Sequence, residues 1–168
     1  MKLVDEHKKR DNLIDGILKV ERVLEDGTVV PHHEEQFNLV VSEASYILRD
    51  LMFGDEERID KIHFGDMNLG VGDDIKNVDS PSLADKELAN KLYQKTVTRE
   101  KTTYGGHPAI KYVCTLERDE FNGDGEQLIT EFALATNNQR IFTRKTRAGI
   151  YKDNETSFKF TWYLVFNS

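Results

Sequence analysis

The sequence predicts a mainly β protein of the α+β kind: an antiparallel β-sandwich or curled sheet with one substantial helix and an N-terminal hairpin and arm. Three observations predict it. Polar and apolar residues alternate through nearly all of the second half, which is the period of strands with one wet face. Clusters such as Glu25-Asp26-Gly27, Asn122-Gly123-Asp124-Gly125 and Thr136-Asn137-Asn138-Gln139 separate the alternating runs, as turns between antiparallel strands do. A single segment, beginning near Ser42, carries apolar residues at helical spacing.

Residues 1–12 read as a charged arm. From Gly16 to Leu24 the chain alternates, with Leu18 and Val20 on one side and Lys19 and Glu21 on the other. Glu25-Asp26-Gly27 then turns it into Thr28-Val29-Val30, and Pro31-His32-His33-Glu34-Glu35 reads as a loop. This places a division at residue 35: an arm and hairpin over 1–35, and a β-rich domain over 36–168. The helix is expected near 42–53. Ser42 is its N-cap and Glu43 favours its first turn. Ala44, Ile47, Leu48 and Leu51 form its apolar face, and Gly54 stops it.

Ile62 and Phe64 alternate with Lys61 and His63 as a short strand. Residues 65–81, with three glycines and four aspartates, read as a loop. Ser80 or Ser82 is expected to cap a short helix through Leu83, Leu88 and Leu92, with Pro81 near its first turn. Tyr112, Cys114 and Leu116 share one side of a strand, and Leu128, Thr130, Phe132 and Leu134 mark the next. Ile141–Ala148 follows. The strongest strand is the last, with Phe158, Phe160, Trp162, Leu164 and Phe166 on one face and Lys159, Thr161 and Tyr163 on the other.

Composition narrows the function classes. With 168 residues the chain can build a full core without a metal or disulfide. The 23 Lys and Arg against 30 Asp and Glu leave a net charge of -7. That sign disfavours nucleic acid as a partner, because phosphate neutralisation needs clustered cations. No apolar run approaches the roughly 20 residues that span a bilayer, so no membrane partner is expected. The charged start lacks the apolar stretch of a signal peptide, and one cysteine, Cys114, allows no intrachain disulfide. Synthesis and folding in a cytosol are expected.

No catalytic constellation emerges. Gly65 to Gly72 resembles a phosphate loop only in its glycines. Val71 and Gly72 stand where Lys and Ser or Thr would be needed, and Asp73-Asp74 would repel phosphate. His7, His32, His33, His63 and His107 show no helical i, i+4 spacing with a carboxylate, and are expected in surface loops. There is no Gly-x-Ser-x-Gly elbow, and a thiol on an apolar strand face is usually inert. The one metal candidate is weak. Glu120, Asn122, Asp124 and Glu131 offer oxygens around Gly125 in partial imitation of a calcium loop. The first ligand is not Asp, the flanks read as strands, and Glu131 falls in the next strand, so a hairpin turn is the simpler reading. No cofactor and no enzymatic activity are expected.

The order of segments carries more. Phe37-Asn38-Leu39-Val40-Val41 leads into the helix with Leu48-Arg49-Asp50-Leu51-Met52. Ile59-Asp60-Lys61-Ile62-His63-Phe64-Gly65-Asp66 precedes the Gly/Asp loop and Pro81-Ser82-Leu83-Ala84-Asp85. Ile129-Thr130-Glu131-Phe132-Ala133-Leu134, Ile141-Phe142-Thr143-Arg144-Lys145 and Phe158-Lys159-Phe160-Thr161-Trp162 close the domain. Over roughly residues 36–166 this resembles tailed-bacteriophage structural proteins related to the tail-collar fibre family. The chain departs from that group in its aspartate-rich loop and in ending directly after the terminal strand, without a fibre shaft. The resemblance implies a non-enzymatic virion protein of the tail, collar, neck, baseplate or fibre attachment. It would be made in the host bacterial cytoplasm and would assemble with copies of itself and other virion proteins. A capsid decoration protein, or a calcium- or carbohydrate-binding β module, remains the alternative. Glu131 and Arg144 stand as candidates for a structural ion pair.

Overall fold

A computed structural model describes residues 13–67 and 81–167, apart from the side chains of residues 33, 34 and 148. The arm at 1–12 and most of the Gly/Asp loop, at 68–80, lie outside the described residues. Nine strands and one helix follow in the order β1 (Ile14–Val23), β2 (Val29–Val40), α1 (Glu43–Phe53), β3 (Ile59–Gly65), β4 (Lys91–Thr96), β5 (Thr98–Tyr104), β6 (His107–Leu116), β7 (Glu126–Thr136), β8 (Ile141–Asp153) and β9 (Ser157–Phe166). They form one antiparallel sheet in the order β4-β3-β7-β8-β2-β1-β9-β6-β5. The mainly β expectation holds, and the sheet is the curled form of it.

The curl follows from β2. Its length from Val29 to Asn38 pairs with β1, but only Leu39 and Val40 pair with β8. The strand therefore passes from one half of the sheet to the other at its end. Asn38 marks that corner. Its Oδ1 accepts the indole N–H of Trp162 at 2.7 Å and the hydroxyl of Thr143 at 3.2 Å. A Cβ on Gly16 would sit 2.4 Å from the same oxygen, so glycine is required where the strands close on this point. The two sheet edges, β4 and β5, are separated in sequence by Val97 alone.

Folding the sheet on itself brings the apolar faces of its halves together. Phe64 of β3 meets Phe160 of β9 with ring centroids 5.0 Å apart, and Phe132 of β7 lies 5.9 Å from Phe64. Both pairs are edge-to-face or nearly so, the arrangement aromatic quadrupoles favour. Tyr112, Cys114 and Leu116 join this core as their alternation requires, and α1 adds Ala44 and Ile47. Phe158, Phe160, Trp162 and Leu164 are buried on one face of β9.

Four expectations are corrected. The division at residue 35 falls inside β2, and the hairpin is no appendage: β1 pairs with β9 along its whole length and lies between β2 and β9. Residues 31–35 are strand rather than loop, because β1 and β2 shift register between Leu18 and Glu21, where Pro31 is accommodated. Ser42 does not cap α1. Its backbone is itself helical and its side chain makes no capping bond. The short helix expected through Leu83, Leu88 and Leu92 is absent. Residues 81–90 are turns tied by Ser82 and Asp85, and Leu92 belongs to strand β4. The Gly54 stop holds, in a left-handed conformation with φ 95°.

Trp162 is fully buried and also anchors the Asn38 corner. Trp162→Ala is expected to destabilise by about 3–5 kcal/mol, read as a shift of the denaturant midpoint. Trp162→Phe is expected to lose less, about 1–2 kcal/mol, reporting the Asn38 bond.

Candidate assembly surface

The polar groups inside the fold are spent on structure. Glu131 is fully buried on β7. One carboxylate oxygen accepts the backbone N–H of Ala89 at 2.7 Å and the Arg144 guanidinium at 2.9 Å, and the other accepts the N–H of Asn90 at 2.8 Å. Arg144 also donates to Asp85 at 2.8 Å. This is the ion pair expected from the sequence, and it fastens residues 81–90 across β7 and β8. Beneath them Leu88 packs with Val41, Ala133, Ala135 and Ile141 as a second small core.

The calcium candidates are not brought together. Glu131 lies five residues along β7 from Glu126, roughly 16 Å from the turn, and its oxygens are taken. Glu120 binds the Lys95 ammonium and the Tyr93 hydroxyl. Burial alone would raise its pKa, but the Lys95 bond and charge hold it below the usual carboxylate range. Asn122 Oδ1 accepts the ammonium of buried Lys152 at 2.6 Å, and the carbonyls of Arg118 and Asp153 complete that cradle at 3.2 and 2.7 Å. Lys152 thus takes the Asn122 oxygen and Lys95 that of Glu120. Among the described residues no group of three or more His, Cys, Asp or Glu is placed to hold a metal. Calorimetric titration with calcium is expected to show nothing tighter than about millimolar.

His63 corrects the surface-loop expectation for the histidines. It is buried on β3, with no hydrogen-bond partner at Nε2. Cys114 is buried too, and burial pushes its thiol up to about 12. Among the described residues no helix is long and apolar enough to cross a membrane.

Among the described residues the outer side of α1 is left largely uncovered. Three faces divide this helix. Ala44 and Ile47 enter the core. Glu43 and Asp50 hold Arg140 from the β7–β8 turn, at 2.9 and 2.7 Å. The remaining face carries Tyr46, Met52 and Phe53, exposed by 53, 89 and 85%. Ser45, Leu48, Arg49, Met52 and Phe53 line a groove along it. Ser45 and Leu48 also line an adjoining groove with Leu13 and Leu83, so the apolar surface is continuous. At roughly 200 Å² for a fully exposed large side chain, Tyr46, Met52 and Phe53 present on the order of 450 Å². That is the size of the largest patch on a typical monomer, about 300–600 Å², and such a patch is often functional. The sequence reading missed it, although Tyr46, Met52 and Phe53 are apolar residues lying off the helical stripe assigned to the core.

Comparison with known proteins finds no matching family model, no match among curated proteins and no match among solved structures.

Two outcomes are expected for the buried groups. Glu131→Gln removes the fully buried charge and leaves Arg144 with Asp85 alone, and should cost about 3–5 kcal/mol, measured by chemical denaturation. Burial first, and then the charges of Lys91 and Lys61, push His63 down to about 4, whereas an unfolded histidine titrates near ~6.5. As pH falls the unfolded chain takes up this proton first. The contribution of neutral His63 is intact above about pH 6.5 and is lost between about 6.5 and 4, by roughly 3 kcal/mol. His63→Phe should flatten that part of the stability profile.

Proposed function

We propose that this chain is a non-enzymatic structural subunit of a tailed-phage virion, assembling as a multimer in the tail, collar or neck. The observation that supports the assembling role is the apolar surface on α1, where Met52 and Phe53 stand 89 and 85% exposed, since a patch of this kind is often an interaction site. The virion setting rests on the resemblance of its segment order to proteins related to tail-collar fibres. The segments that carry the resemblance occupy framework positions: the β2-to-α1 passage, β3, the centre of β7, the start of β8, and β9. Partners are copies of the same chain and neighbouring virion proteins. The acidic net charge keeps free subunits soluble before they meet.

The test is biochemical. Particles purified from infected cells are expected to contain the chain at many copies per particle, by quantitative mass spectrometry, and a Phe53→Asp variant should be depleted from them in complementation. Absence of the wild-type chain from particles would overturn the virion reading.

A further inference from the structure

We propose that the pocket over the outer face of β3, between residues 87–91 and the β7–β8 turn, binds the carboxylate group of a small ligand. Lys91, Gln94 and Gln139 hold that group above the His63 ring. The pocket shares no lining residue with the grooves along α1, and its occupancy is independent of the assembling role.

The strand pattern builds the floor. Ile62 and Phe64 enter the core, so the pleat turns His63, between them, to the outer face of the sheet. Register sets Gln94 of β4 on one side of His63 and Ala133 of β7 on the other. Residues 87–91 cross this face, fastened by Glu131 through the N–H groups of residues 89 and 90. A cavity of about 490 Å³ remains, bordered by His63, Glu87, Asn90, Lys91, Gln94 and Gln139. Small-molecule sites use roughly 300–1,000 Å³.

Two features mark this pocket as more than a gap. His63 is only 3% exposed, and its Nε2 has no hydrogen-bond partner; a buried polar atom in that condition is rare in a native fold. Gln139 sits in the left-handed region at φ 67°, where glycine or asparagine is the ordinary choice. Such strain gathers where a side chain is needed. Gln139 Oε1 accepts the Lys91 ammonium at 3.0 Å, as Gln94 Oε1 does at 2.6 Å, and its carboxamide stands beside the His63 ring.

These bonds decide the chemistry of the ligand. Both carboxamides turn their oxygens to Lys91, so N–H groups are what they have left to offer, and the ammonium keeps a third proton. The ligand must bring lone pairs and negative charge. Charge also limits it. Lys91 is the cation lining the pocket, and Glu87 stands on its rim. Lys61, farther along β3, shares Asp60 with Arg58, and Glu131 and Arg144 are paired with each other. A carboxylate can place its single charge beside Lys91, whereas a phosphate dianion would press its second charge against Glu87.

The experiment follows the His63 ring by NMR in the full chain, its resonance assigned by loss in His63→Phe. Sodium acetate is expected to shift that resonance saturably at neutral pH. It should also raise the protonation midpoint of His63 from about 4 toward the ordinary ~6.5, because a carboxylate beside the ring favours the imidazolium. Sodium chloride at equal ionic strength should do neither. Lys91→Met should abolish the response to acetate. Gln139→Gly should weaken it several-fold while leaving the thermal midpoint unchanged or higher, since glycine suits the left-handed turn; a purely structural glutamine would not separate the two readouts. A wild type that answers acetate no differently from chloride overturns the inference. So does a full response in either variant, or inorganic phosphate binding as tightly as acetate.

Discussion

The carboxylate of Glu131 is the point from which the rest of the structure is organised. A fully buried carboxylate is tolerable only if its lone pairs are satisfied, because desolvation costs several kcal/mol. Glu131 meets that demand with two backbone N–H groups from residues 89 and 90 and with the guanidinium of Arg144. The consequence reaches far along the chain. Residues 81–90 have no helix or strand of their own to hold them, and the carboxylate fixes them against β7 and β8. Leu88 then fills the small outer core, and β4 is delivered in register to β3, Lys91 opposite Gly65.

The same fastening shapes the surface that faces solvent. Ser42 donates its N–H to the carbonyl of Leu83 at 2.9 Å, so the start of α1 is tied to the segment that Glu131 holds. Arg140 binds the helix from its other side through Glu43 and Asp50. Helix and flanking segment are thus fixed to the sheet by buried or half-buried charge pairs, and the apolar surface they share is preorganised.

Most of the framework was legible in the sequence, and the reasons for the failures are physical. The alternation of β6 and β9 reads directly, because each has one face in the core and Phe158, Phe160, Trp162 and Leu164 report it. The Glu131–Arg144 pair was also legible as a pair, but not its role, since the backbone groups it binds lie more than forty residues away. The corner at Asn38 was invisible: its bonds to Trp162 and Thr143 span over a hundred residues. Local rules misled at residues 82–92, where Pro, Ser and spaced leucines imitate a helix start but a tertiary hydrogen-bond demand wins. They misled again at Pro31, where a register shift makes room for a residue that normally ends a strand. His63 was read as a surface residue because burial of a polar group depends on partners the sequence does not place together.

The surface of α1 shows how such a misreading can point to function. A helix that served only the fold would place its apolar residues on one stripe, and Ala44 and Ile47 satisfy that requirement here. Tyr46, Met52 and Phe53 break the pattern, and among the described residues Met52 and Phe53 stay 89 and 85% exposed while the fold fixes the helix that carries them. A rigid surface loses little side-chain and loop entropy when it docks, so more of its apolar area is available as affinity. Repulsion between copies of net charge -7 acts over a Debye length of about 8 Å at physiological salt. It slows encounter without cancelling a contact made at van der Waals distance.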